Sequence, residues 1–260
     1  MADLGTWASW ERTVRDGPFI KVSAVLGRAP GGGSGALLCR LSNGDKAYVK
    51  PLTSPQGPRV CLNEFVISAM GQLIGAPVCV VRLVEIAADL AGDYYGTAVA
   101  AGIASASLEV PGVLEGRDFV HRSEDDNQRR HAGVVALVDW CWGADNQWLY
   151  QGSDDNRIWS HDHGHYFPGG PAWTVDGLLN VVATANQPLG DLTNCSQAEV
   201  SRLATALRDL KAEDIQGILE WIPGDWPVTD AELTHLGWFL DLRRDDVADR
   251  LEEAMKTGPA

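Results

Sequence analysis

Short apolar runs broken by glycine and polar residues fill the first third of the chain, and leucines at helical spacing take over in the last third. Phe19 to Val22, Ala36 to Leu41 and Ala47 to Lys50 read as strands, with Asn43-Gly44 between the last two a strong hairpin signal. Leu62, Phe65, Val66, Ala69, Met70 and Leu73 recur at helical spacing, which predicts a helix over Asn63 to Ile74, stopped by Gly75 and followed by Pro77. Val78 to Ile86 reads as a further strand. From Ala132 the pattern is helical to about Gly143, a hairpin precedes Asp162, and beyond about Asn194 the chain is mostly helical. Ser196 with Glu199 and Thr229 with Glu232 have capping-box spacing. The polar stretches Glu115 to Gln128 and Gln151 to Asn156 read as surface loops. Strands, one helix, a strand, then mainly helices predict an α+β fold with a β-rich first part and a helical second part.

Composition narrows the setting. The 260 residues carry 35 acidic against 21 basic side chains, a net charge of −14, which disfavours direct nucleic-acid binding and an anionic membrane. Five cysteines are widely separated, odd in number and without Cys-x-x-Cys spacing, so they read as reduced buried thiols in a cytoplasmic protein. Met1 to Arg15 has no apolar signal core, and no apolar run reaches the roughly 18–20 residues of a membrane span.

Four polar elements carry candidate chemistry. Gly31, Gly32, Gly33 and Ser34 lie in a glycine-rich segment between two predicted strands, where free amides can fold over phosphate oxygens; the segment does not match the Walker pattern. Lys50 closes a strand and Glu64 opens the next helix, the pairing that holds a lysine against the α- and β-phosphates of ATP. Asp145-Asn146 sits upstream of the predicted hairpin as a candidate catalytic loop, with a carboxylate for the substrate hydroxyl proton and an amide for a metal. His161-Asp162-His163-Gly164-His165 admits two readings. Asp162 can be a magnesium ligand with Gly164 giving backbone freedom after it, or His161, His163 and His165 can share one strand face and bind zinc. The order lysine, glutamate, Asp-Asn, Asp-x-Gly is the order of a kinase.

On these residues the chain resembles the HipA-like kinases, a branch near the phosphatidylinositol 3/4-kinases. Val49-Lys50, Asn63-Glu64 with its leucine-rich helix before Pro77-Val78, His161 to Gly164, and Ile222-Pro223-Gly224-Asp225-Trp226 leading into the last helix carry the resemblance, which spans roughly residues 22–251. It implies a single bilobal domain over 1–260, with an N-lobe near 1–103 and a C-lobe near 104–260. It also implies ATP and Mg²⁺ as cofactors, serine/threonine acceptors, Lys50, Glu64 and Asp145 as catalytic residues, and Asn146 with Asp162 at the metal. Some members restrain growth as toxins, and since this chain shows no DNA-binding element, an antitoxin-like partner would be a separate protein. The family has Asp-Arg-His, two residues, then Asn, whereas Asp145-Asn146-Gln147-Trp148 compresses that loop. A one-residue shift puts Asn146 in place of the aspartate. The alternatives are a nucleotide-binding module with poor turnover and a zinc-dependent hydrolase on the three histidines.

Overall fold

A computed structural model describes residues 3–30, 33–124, 126–186, 192 and 195–257. Strands β1 (Ile20–Arg28), β2 (Leu37–Leu41) and β3 (Lys46–Lys50) follow a short N-terminal 3-10 turn, and helix α1 (Val60–Ile74) comes next. Strand β4 (Val81–Ile86), a small hairpin of β5 (Gly92–Tyr94) and β6 (Thr97–Val99), and β7 (Gly102–Leu108) complete the β-rich part. The strands close into a five-stranded barrel in the order β1-β2-β3-β7-β4. Its neighbours are antiparallel except at the seam, where β1 and β4 run parallel through Ile20 opposite Val84 and Lys21 opposite Glu85. Alternation turns Val22, Leu37, Cys39, Val49, Val84 and Ala106 into the barrel to form a core of their own.

The second part begins with β8 (Val113–Gly116), α2 (Asn127–Trp140), β9 (Gln147–Gln151) and β10 (Arg157–His161). The three strands form a sheet in the order β10-β9-β8. Helices α3 (Val175–Val181), α4 (Gln197–Asp209), α5 (Ala212–Leu219) and α6 (Asp230–Thr257) follow. The Thr229–Glu232 capping box is reciprocal: the Thr229 amide donates to Glu232 at 2.8 Å and the Glu232 amide to the Thr229 hydroxyl at 3.2 Å. Ser196 accepts from the Glu199 amide at 3.4 Å.

Helix α1 begins at Val60, three residues before the predicted start, with Arg59 as its cap. The Arg59 guanidinium stacks 4.3 Å from Trp173 and donates to the Trp173 and Pro227 carbonyls and to Glu232, tying the helix start to the second part. Val60, Leu62, Val66, Ile67 and Met70 of α1 share one core with Leu137, Trp140 and Phe239. Ser68 on the same helix accepts from the Val81 amide of β4, and Cys61 donates to the Lys50 carbonyl of β3, so α1 bridges the barrel and the helical part. Arg243 on α6 is fully buried and bonds the carbonyls of Trp140, Val181, Val182, Thr184 and Asp139. Burial lowers its pKa to about 10, against the pull of Asp139. Cys39, Cys61, Cys79 and Cys141 are buried free thiols. Among the described residues no helix is long and apolar enough to cross a membrane.

Candidate active site

Lys50 ends β3 opposite Ser105 of β7, with its backbone carbonyl accepting from the Cys61 thiol at 3.0 Å. Its ammonium bonds the Glu64 carboxylate on α1 and reaches Oδ1 of Asp162 at 2.5 Å. Strand end, helix and the turn after β10 therefore converge on one cation. Burial works against the Lys50 ammonium, but Glu64 and Asp162 together hold its pKa above the usual lysine value. Burial pushes the Glu64 carboxyl up despite Lys50; Asp162, also burdened by burial, is drawn below the usual range by the same ammonium. Two carboxylates sharing one cation do not ionise equally, and Asp162, the more exposed, keeps its charge more readily.

The turn after Asp162 has its own clamp. Asn63, fully buried beside Glu64, donates to the carbonyls of Gly164 and Tyr166 at 2.8 and 3.0 Å and accepts from the Trp173 indole at 3.2 Å. Asp162 itself is left-handed at φ +53°, whereas Gly164 is not among the positive-φ positions. Glycine is required at 164 for space: a Cβ there would lie 2.5 Å from Val60 and 3.4 Å from the Glu64 carboxylate. This corrects the expectation of backbone freedom.

Lys50, Glu64 and Asp162 face a cleft of about 420 Å³ between the barrel and the three-stranded sheet. Ser34 and Ala36 line it from the glycine-rich side, Ser105 from β7, Leu149 from β9, and His161 and Asp162 from the end of β10. Ser34 is buried, its carbonyl accepting from the Ser54 hydroxyl at 2.8 Å, while Gly33 is exposed. Gly31 and Gly32 lie outside the described residues.

Asp145 and Asn146 precede β9 but are not among the residues lining the cleft. Asp145 is exposed in a left-handed conformation, φ +51°, and pairs with Arg117 at 2.5 Å and Gln147 at 3.2 Å. The Asn146 side-chain oxygen is buried without a partner, against Gly143, where an added Cβ would come within 2.7 Å of it. Arg117, beside the cleft-lining Glu115, had no sequence signal beyond its polar loop.

The three histidines do not share a strand face. β10 ends at His161, Asp162 turns the chain, and His163 to His165 form a 3-10 turn. His163 is buried with Nε2 2.9 Å from the Ser160 hydroxyl, and burial lowers its pKa to about 3 and that of His161 to about 4. Among the described residues no group of three or more His, Cys, Asp or Glu side chains is placed to hold a metal. A carboxylate open to a cleft suits magnesium, which takes one or two carboxylates and completes its shell with phosphates and water.

No family model matches the chain, and no curated protein matches it in sequence. Among solved structures, its fold is similar to that of a Helicobacter pylori proinflammatory kinase, CtkA, with a TM-score of 0.56 at 13% identity over 93% of this chain and 97% of that one. At that identity the likeness concerns the fold, which is kinase-like along nearly the whole chain.

Proposed function

We propose that this chain is an ATP-dependent phosphotransferase, a HipA-like serine/threonine kinase whose 260 residues act as one domain with an N-lobe near residues 1–103 and a C-lobe near 104–260. The observation that carries this reading is Lys50 held between Glu64 and Asp162 at the wall of the cleft, within a kinase-like fold. Lys50 would bind the α- and β-phosphates, Glu64 would orient Lys50, and Asp162 would hold Mg²⁺. The metal supplies neutralisation of phosphate charge when bound. Asp145 would take the acceptor hydroxyl proton as the new phosphorus–oxygen bond forms and the bond to the β-phosphate breaks. Asn146 would join Asp162 at the metal once its amide turns from Gly143. The Ser34 segment, with Gly31, Gly32 and Gly33, would cover the phosphates. The same reading gives a hydroxyl of a protein or small molecule as acceptor, a separate antitoxin-like partner and a cytoplasmic setting.

A second reading is a nucleotide-binding module with poor turnover. Asp145 and Asn146 lying off the cleft lining favour it. Incubation with γ-labelled ATP and Mg²⁺, alone and with lysate, separates the two. Label transferred by wild type and lost in Asp162→Asn supports the kinase. Nucleotide binding without transfer supports the module, and no binding at millimolar ATP removes both.

A further inference from the structure

A second concavity, of about 450 Å³, lies on the far side of the wall formed by residues 76–79 and β10. Pro77 and Cys79 run beside β10, with the Ser160 amide donating to the Pro77 carbonyl at 2.7 Å and the Cys79 amide to the Ser160 carbonyl at 2.9 Å. Cys79 and His161 face the cleft, whereas Pro77, Arg157 and Trp159 face the groove. Arg129, Arg130, Arg157 and Arg202 all line it, with Glu199 the one lining carboxylate among the described residues. Four of the 21 basic side chains of a chain with net charge −14 thus converge on one hollow. Asp126, Asp154 and Glu199 each pair with one of these arginines, so what the groove offers an anion is guanidinium donors more than net charge.

Two of the guanidiniums retain unused donors. Among the described residues, Arg129 gives only Nε to Asp126, at 2.6 Å, and Arg157 gives only Nη1 to Asp154, at 3.0 Å, while lying 4.9 Å over the Trp159 ring. A guanidinium carries five N–H donors in a planar fork matched to tetrahedral oxyanions. Arg202 is committed elsewhere, holding Glu199 at 2.5 Å and the Ile74 carbonyl at the end of α1. Its charge is offset by Glu199. Trp159 gives the groove an apolar plane beside the cations.

We propose that this groove binds a phosphate monoester, with Arg129 and Arg157 gripping the phosphoryl oxygens and Trp159 packing against the group that carries it. The phosphoryl group can come from free phosphate or from a phosphorylated side chain. Calorimetric titration of the full chain with inorganic phosphate, a serine-phosphorylated peptide and its unphosphorylated twin distinguishes them. Equal affinity for phosphate and phosphopeptide assigns the free ion, and tighter binding of the phosphopeptide assigns the modified chain. In both cases Arg129→Ala with Arg157→Ala weakens binding about tenfold or more, since each removes a charge-assisted contact. Both positions are partly exposed and make single surface ion pairs, and Arg129→Ala alone provides a gentler variant, with thermal unfolding checking the fold. Binding that survives the double substitution, equal binding of the unphosphorylated twin, or no binding of either phosphate probe by wild type overturns the proposal.

Discussion

The Asn63 amide donates across 2.8 Å to the Gly164 carbonyl, so the helix that carries Glu64 and the turn that follows Asp162 are held in fixed register. Replacing Asn63 with Leu strands the Gly164 and Tyr166 carbonyls and the Trp173 indole in a buried site. Each unsatisfied group costs about 1–3 kcal/mol. We expect Asn63→Leu to lower stability by roughly 2–5 kcal/mol in urea unfolding. If it also holds Asp162 for chemistry, the folded fraction will lose turnover more than nucleotide affinity. A variant as stable as wild type would show that the clamp is dispensable.

Lys50 shields two carboxylates from each other. Lys50→Met leaves both facing a buried site without a cation, and removing one member of such a group costs about 3–5 kcal/mol. The measurement is chemical unfolding at pH 7 and pH 5. The loss should shrink at the lower pH as Glu64 takes up a proton. In wild type, saturating ATP with Mg²⁺ should raise the thermal midpoint by mass action, and this variant should lose that rise.

Arg117 and Asp145 are an exposed pair, of the class worth about 0–1 kcal/mol. Neither Arg117→Ala nor Asp145→Ala should change stability noticeably. On the proposed reading, Asp145→Ala cuts phosphoryl transfer by about 10²- to 10⁴-fold with ATP affinity kept, as for loss of a general base. Labelling at the wild-type rate would make Asp145 a turn residue only.

His131 on α2 is buried, stacks on Phe119 at 4.5 Å, and has both ring nitrogens unpartnered. Burial, with smaller pushes from Arg122 and His121, lowers its pKa to about 4. Between that value and the ordinary histidine range the unfolded chain binds the extra proton, so folding stability from this group is full above about pH 6.5 and falls as the pH drops, by up to about 1.4 kcal/mol per pH unit. His131→Phe should therefore flatten the acid side of the stability profile and stabilise more at pH 5 than at pH 7.5. Parallel profiles for the two proteins would contradict this.

Gly237 of α6 faces Trp7, and a Cβ there would lie 2.1–2.2 Å from the indole. Gly237→Ala should displace the N-terminal segment and destabilise by about 1–3 kcal/mol, despite alanine's better helix propensity. Tryptophan fluorescence should redden as Trp7 leaves its site. An unchanged spectrum and midpoint would mean that the backbone yields at no cost.

Local periodicity made most elements readable, because α1, the hairpins and the capped helices depend on neighbours within a few residues. The seam between β1 and β4 was not readable, since a parallel pairing of Ile20 with Val84 leaves no local mark. Lys50, Glu64 and Asp162 stood out as polar residues at the ends of apolar runs, and the fold brings all three together. The expectation for the histidines failed because the backbone reverses at Asp162, which alternation cannot foresee. Asn63 carried a legible signal, an amide beside Glu64 at the head of an otherwise apolar helix, but its partners lie 101 and 103 residues away. The off-cleft positions of Asp145 and Asn146 depend on how a short loop turns before β9.

Lys50 rides on a barrel strand, Glu64 on α1 and Asp162 on the turn after β10, so a single ammonium is the point where three separately folded segments are tied together. The Cys61 thiol on the same helix caps the Lys50 carbonyl, so strand and helix are joined at the backbone as well as at the charge. A substitution that displaces any one of the three segments therefore alters the surroundings of the other two, and the ammonium works as a keystone as well as a phosphate ligand in waiting.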